Sequence, residues 1–153
     1  MTESGLIAYQ GVCTGLGDRA NIADFGKYIY SALEQEDDED VARVAVGLVA
    51  DISSALGNQV EQYLSSLIPH LLNILRKEGR DRKTKLAAFI TLADVAFYAA
   101  PAFCQFYLED SLKIMQTACD ISVNTAAFAH DEDTLLYLEE LRGALVDAYL
   151  PIT

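Results

Sequence analysis

The chain has 153 residues, about half of them hydrophobic, which is enough to bury a continuous core and argues against overall disorder. Asp and Glu number 23 against 11 Lys and Arg, and the net charge of −12 disfavours nucleic acid and anionic membrane as partners and favours basic ones. The three cysteines, Cys13, Cys104 and Cys119, are odd in number and lack C-x-x-C spacing. They predict free, mostly buried thiols in a reducing compartment, with no disulfide framework and no zinc site. The longest apolar stretches are broken by Asp51, Asp94 and Glu109, and no basic-then-apolar leader opens the chain, so we expect a soluble intracellular protein with no membrane insertion.

Residues 4–17 place Leu6, Ile7, Val12 and Leu16 in a helical pattern that closes at Gly17, with Asp18 and Asn21 as turn or cap residues. Residues 22–35 carry Ile22, Phe25, Ile29, Ala32 and Leu33 on one stripe of a second helix. The run Glu36–Asp40 suits a connection and the first turn of the next helix, where carboxylates meet the positive end of the helix dipole. From Val41 a third stripe follows through Ala45, Leu48, Val49, Ile52 and Leu56, with Gly57-Asn58 as stop and restart. A fourth helix is predicted over 59–78, kinked at Pro69, and a fifth over 82–99. Pro101 opens a sixth helix with Cys104, Leu108, Met115 and Cys119 on one face. A looser segment, 124–133, precedes a last helix over 134–150 that Pro151 ends.

No stretch alternates apolar and polar residues at period two, so the fold class is all-α. The segment Ala45–Ile52 returns 43 positions later as Ala88–Val95, at the same place in a similar helix. A period of about 40 to 47 residues built from two helices is that of HEAT and armadillo units, and it predicts an α-solenoid of three to four HEAT repeats, antiparallel helix pairs, forming one array over residues 1–153. The second, fourth and sixth helices form one class and the other four the second. The chain then begins on the second helix of a pair, and the apolar Leu6, Ile7 and Val12 do not read as a polar end cap. We expect a fragment of a longer array, or a chain that covers its ends by association.

Arg76, Lys77, Arg80, Arg82, Lys83 and Lys85 put six of the eleven basic residues into ten positions. A solvated turn after a helix C-terminus explains them, with a dedicated anion site as the alternative. Asp51 and Asp94 hold equivalent positions on successive second-class helices, at the flank of the apolar stripe. They either register one repeat on the next through neighbouring donors or form an acidic inner surface for Lys and Arg of a basic helix. The carboxylates of Glu36–Asp40, Asp131–Asp133, Glu139 and Glu140 are either solvated or line one edge of the array. Leu86, Ile90 and Phe97 share the far face of the fifth helix, which covering repeats or a partner helix would fill, covering being the commoner case. His70 and His130 have no catalytic partner at motif spacing; no enzyme activity and no cofactor are expected.

Val44–Asp51, Asp94-Val95-Ala96 with upstream Phe89, and Tyr137–Arg142 followed by Asp147-Ala148-Tyr149 are three ordered stretches that resemble late repeats of the importin-β (karyopherin-β) nuclear transport receptors. The resemblance covers nearly the whole chain and implies a segment of the C-terminal half of such a receptor. It implies that basic adaptor or cargo helices of the importin-β-binding type meet an acidic concave face, with Asp51, Asp94, Glu139 and Glu140 as candidates. It further implies that Phe-Gly nucleoporin repeats enter slots on the outer face, with Tyr63, Phe103, Phe106 and Tyr107 as candidates for which core or rim packing is the alternative. Ran GTPase would be bound through the full-length receptor, and the location would be cytoplasm, nucleus and nuclear pore. The acidic run Glu36–Asp40 and the junction Tyr98–Pro101 do not match the family pattern. A HEAT-repeat scaffold subunit of a phosphatase-type or vesicle-coat complex is the alternative reading.

Overall fold

In a computed structural model of the chain, residues 2–16, 26–123 and 131–152 are described. Among them α1 is Glu3–Leu16, α2 Gly26–Leu33, α3 Glu39–Leu56, α4 Leu64–Arg76, α5 Arg82–Tyr98, α6 Ala100–Phe106, α7 Leu108–Ser122 and α8 Glu132–Ile152, with a 3-10 segment at Gly57–Tyr63. The described residues contain no strand. The expected part of the second helix at 22–25 and the looser stretch at 124–130 lie outside them.

The helices stack in two layers. Along the first layer α2 meets α4 and α4 meets α7; along the second α1 packs on α3, α3 on α5 and α5 on α8. The layers are joined pairwise through α2–α3, α4–α5 and α7–α8. This is the arrangement the 43-residue period implies, because each pair buries an apolar face only against its neighbours. Leu48, Ile52, Leu67, Ile68, Leu71 and Leu92 are fully buried between the layers. Full burial of such a side chain contributes about 1.5–3 kcal/mol.

The second-layer helices begin in the same way. Asp38 accepts the Val41 amide at 3.1 Å, Asp81 the Thr84 amide at 3.0 Å and Asp131 the Thr134 amide at 3.1 Å. Each carboxylate satisfies an orphan donor of the first turn, worth about 1 kcal/mol per cap. Asp38 and Asp81 are themselves 43 residues apart, so the capping recurs with the repeat. At the other end of α3, Gly57 has φ +54° and ψ −132°, a conformation that side chains with a Cβ resist.

That backbone turn corrects the expected start of the fourth helix: residues 57–63 wind as 3-10, and the α-helical part starts only at Leu64. Pro69 lies inside α4 with its ring exposed, where it forfeits the backbone bond to the Ser65 carbonyl. The sixth helix is likewise two. Tyr107, at φ −128° and ψ −11°, separates α6 from α7, and α6 leaves α5 at 115° across Ala99. The Ser111 hydroxyl bonds back to the Tyr107 carbonyl at 2.8 Å, a contact that bends helices. The break lets Phe103 and Met115 both reach the core while Cys104 is exposed, so the single face drawn through Cys104 and Met115 does not exist. Cys119 is half-buried, which also corrects the expectation of mostly buried thiols; the side chain of Cys13 lies outside the described residues. Finally, α8 runs through Pro151 to Ile152 instead of stopping before the proline. No single helix among the described residues is long and apolar enough to cross a membrane.

Candidate functional site: an acidic, apolar face on the second layer

The solvent side of the second layer carries the first candidate site. Stacking brings Asp51 of α3 and Asp94 of α5, 43 residues apart in sequence, onto neighbouring helices as half-buried carboxylates. The Asp51 carboxylate accepts a hydrogen bond from the Gln10 side-chain amide of α1, so one residue links two successive second-layer helices. Burial pushes the Asp94 carboxyl above the ordinary 3.8, and the charge of Asp51 adds to the shift. Register between α3 and α5 is also set by the Thr91 hydroxyl on the Val46 carbonyl at 3.2 Å and by the Tyr98 hydroxyl on Ser54 at 3.2 Å.

Beside Asp94 on α5, Ile90 is 50 % exposed and Phe97 66 % exposed, while Leu86 is half-buried. The preference for covering repeats therefore fails at the two longest exposed apolar side chains of this face: α3 and α8 grip α5 from its sides and leave its outer stripe open. Glu139 and Glu140 are exposed on α8, which packs against α5 and continues the acidic character of this layer. The face thus combines carboxylates with apolar side chains, the complement of an amphipathic helix rich in Lys and Arg.

The second candidate cluster divides. Phe103 is fully buried and belongs to the core, and Tyr63 is half-buried against it. Phe106 is 67 % exposed and meets Tyr107 edge-on at 6.4 Å. These two, with Glu61, Leu64, Ser65 and Ala102, line a cleft of about 300 Å³ between α6 and the start of α4. Of the four candidate aromatics, Phe106 and Tyr107 line this cleft.

The basic turn at 76–85 is not merely solvated, contrary to expectation. Arg80 is only 6 % exposed and donates to the Leu33 carbonyl at 3.2 Å and to the Gln35 carbonyl, with Glu39 at 3.6 Å. It closes the C-terminus of α2, whose last carbonyls have no helical partner. Lys77 pairs with Glu36, Arg76 with Asp110 at 3.2 Å, and Arg82 donates to Thr134 at 2.9 Å while lying 4.9 Å from the Tyr137 ring centre. Here Glu36 and Glu39 become structural partners, and the Lys77 hydrogen bond lowers the Glu36 carboxyl. His70 stacks on Tyr30 at 5.2 Å and faces Glu34 at 3.2 Å, joining α4 to α2. Charge counting missed Arg80; the signal available was its place just before the capping Asp81, level with the end of the preceding pair.

Comparison with known proteins agrees with this architecture. The family model described as importin subunit beta-1-like, TPR repeats, matches residues 3–153. Importin subunit beta-1 of Schizosaccharomyces pombe is 30 % identical over 132 residues, covering 86 % of this chain and 15 % of that protein. The Arabidopsis thaliana protein of the same name is 26 % identical over 149 residues, 97 % of this chain and 16 % of its own length. A chain in a solved structure of Kap95p bound to RanGDP superposes with a TM-score of 0.82 at 25 % identity, covering 98 % of this chain and 17 % of that one. The chain therefore spans about one sixth of the relatives it matches. The family description speaks of TPR repeats, yet a 43-residue period is that of HEAT units and longer than the roughly 34 residues of a TPR. With a family model matched from residue 3 to 153 over an α-solenoid of HEAT repeats, this chain belongs to the importin subunit beta-1-like family.

Proposed function

We propose that the chain acts as a segment of a nuclear import receptor and captures basic adaptor or cargo helices, without covalent chemistry, on the second-layer face around Asp51 and Asp94. One observation carries the reading: two half-buried carboxylates on adjacent helices lie on a face that also exposes Ile90 and Phe97. A basic amphipathic helix would place Lys or Arg at the carboxylates and apolar residues over Ile90 and Phe97, with Glu139 and Glu140 adding long-range attraction. Membership of a family whose relatives are named importin subunit beta-1 supports this, as does the net charge of −12. Ran binding belongs to the complete receptor, by analogy with the Kap95p structure, and the location would be cytoplasm, nucleus and nuclear pore.

The test is binding of a fluorescent polybasic amphipathic peptide to the chain by anisotropy at rising salt. Affinity should fall steeply as salt screens the attraction, and Asp94→Asn or Phe97→Ala should weaken it. Binding indifferent to both substitutions would remove this face as the site.

A second reading rests on its own observation, the 300 Å³ cleft beneath the exposed Phe106. It would receive the Phe of a Phe-Gly nucleoporin repeat, with Tyr107 as its aromatic wall. Retention on an immobilised Phe-Gly repeat peptide, lost on Phe106→Ala, tests it separately from the acidic face.

A further inference from the structure

Of the basic residues in the turn at 76–85, Arg76, Lys77, Arg80 and Arg82 all have carboxylate, carbonyl or hydroxyl partners. Lys83 and Lys85 have no salt bridge or side-chain hydrogen bond among the described residues, and of the two only Lys85 is half-buried, with the Glu78 charge acting on it through space. Lys85 lies near the start of α5 and lines an open-sided cleft of about 280 Å³ between α4, α5, α7 and α8. Phe89, Ile114, Ile121 and Leu141 supply its apolar lining, with Ile121 half exposed, and the Glu78 carboxylate, Arg76, Thr117 and Tyr137 supply its polar lining. This cavity lies between two helix pairs of the array, away from both the acidic face and the Phe106 cleft.

We infer that this cavity is a binding site for a small amphipathic monocarboxylate, its carboxylate paired with the Lys85 ammonium and its aliphatic or aromatic body against Phe89, Ile114 and Ile121. The charge argument selects the sign. The half-buried Lys85 ammonium, with no ion pair, attracts an anion whose body can cover the neighbouring apolar side chains, against the opposing charges of Glu78 in the same lining and of the chain's net −12. The apolar side chains of Phe89, Ile114 and Ile121 favour an aliphatic or aromatic body. Burial holds the Lys85 ammonium below its ordinary proton affinity, against the field of Glu78; a bound carboxylate would restore it. The volume admits a body of about one aromatic ring with a short tail, near the lower end of ordinary ligand sites.

The experiment is titration of the whole chain with 4-phenylbutyrate, followed through the carbon-13 methyl signals of Ile114 and Ile121. We expect saturable shifts of both methyls in about the millimolar range. The neutral analogue 4-phenylbutanamide should bind about tenfold more weakly. Lys85→Gln should abolish the preference for the acid, whereas Lys83→Gln, at an exposed neighbour, should preserve it. Absence of saturable shifts, equal affinity for acid and amide, or shifts confined to Leu112 and Leu145 in the open groove between α7 and α8 would each overturn the proposal. If Lys85→Gln fails to fold, the comparison of acid with amide on the unsubstituted chain decides the matter.

Discussion

Asp51 and Asp94 stand on adjacent helices, and the charge of the first adds to burial in holding the carboxyl of the second above the ordinary range of an aspartate. Two like charges are tolerated there because Gln10 donates to Asp51 from the helix on its other side. The arrangement leaves Asp94 with an unmet preference for a cation or a proton.

A pH titration of Asp94, followed by carboxyl carbon-13 shift, should therefore show a midpoint above 3.8. Asp51→Asn should lower that midpoint but leave it raised, because burial is the larger cause. In the window just above 3.8 the folded chain holds more proton than the unfolded one, so this residue makes stability fall as pH rises through its folded midpoint. Asp94→Asn should remove that fall. A midpoint at or below 3.8 would refute the account of the face.

Arg80→Ala should destabilise the chain by about 2–3 kcal/mol in urea unfolding, since it strips donors from the Leu33 and Gln35 carbonyls and leaves Glu39 without its cation. Arg80→Lys should recover only part, because a point charge cannot serve two carbonyls as a planar fork does. Lys77→Ala, which removes only an exposed pair with Glu36, should cost about 0–1 kcal/mol. Equal losses at both positions would contradict the assignment of Arg80 as the closure of α2.

Gly57→Ala places a Cβ at φ +54°, and the strain should cost about 1–3 kcal/mol although nothing crowds the position. Gly47→Ala, in mid-helix with open space around it, should be neutral or stabilising by up to about 1 kcal/mol. Thermal unfolding of the two variants compares strain with helix propensity directly.

Phe106→Ala should change the unfolding midpoint little, because its ring is largely in solvent, whereas Phe103→Ala should cost about 3–5 kcal/mol. Circular dichroism melts of both variants check the division. A large loss at Phe106 would make it a packing residue and weaken the Phe-Gly reading.

Much of the array was legible in the residues. The stripe through Ala45, Leu48, Val49, Ile52 and Leu56 is buried as its 3.6 period required, and Gly57 stops α3 where the pattern breaks. The acidic run falls at the connection and first turn of α3 as its charge suggested, with Asp38 as the cap, whereas the matching cap at Asp81 emerged only from the structure. The break at Tyr107 was hidden because the apolar positions on either side keep a plausible helical spacing; only the demand that Phe103 and Met115 both reach one core separates α6 from α7. Arg80 was read as solvated because its partners are backbone carbonyls more than 40 residues away, which no local pattern reports.

Periodicity and the 43-residue return settled the all-α class, the pairing of helices and the equivalence of Asp51 with Asp94, since these follow from which faces must leave water and how often they recur. Only the stacked structure decided which apolar residues remain outside, Ile90, Phe97 and Phe106 among them, and which charges are consumed as cement. The physical reason is that exposure and ion pairing depend on what the neighbouring helix presents at that height, a relation between distant segments that local spacing does not encode.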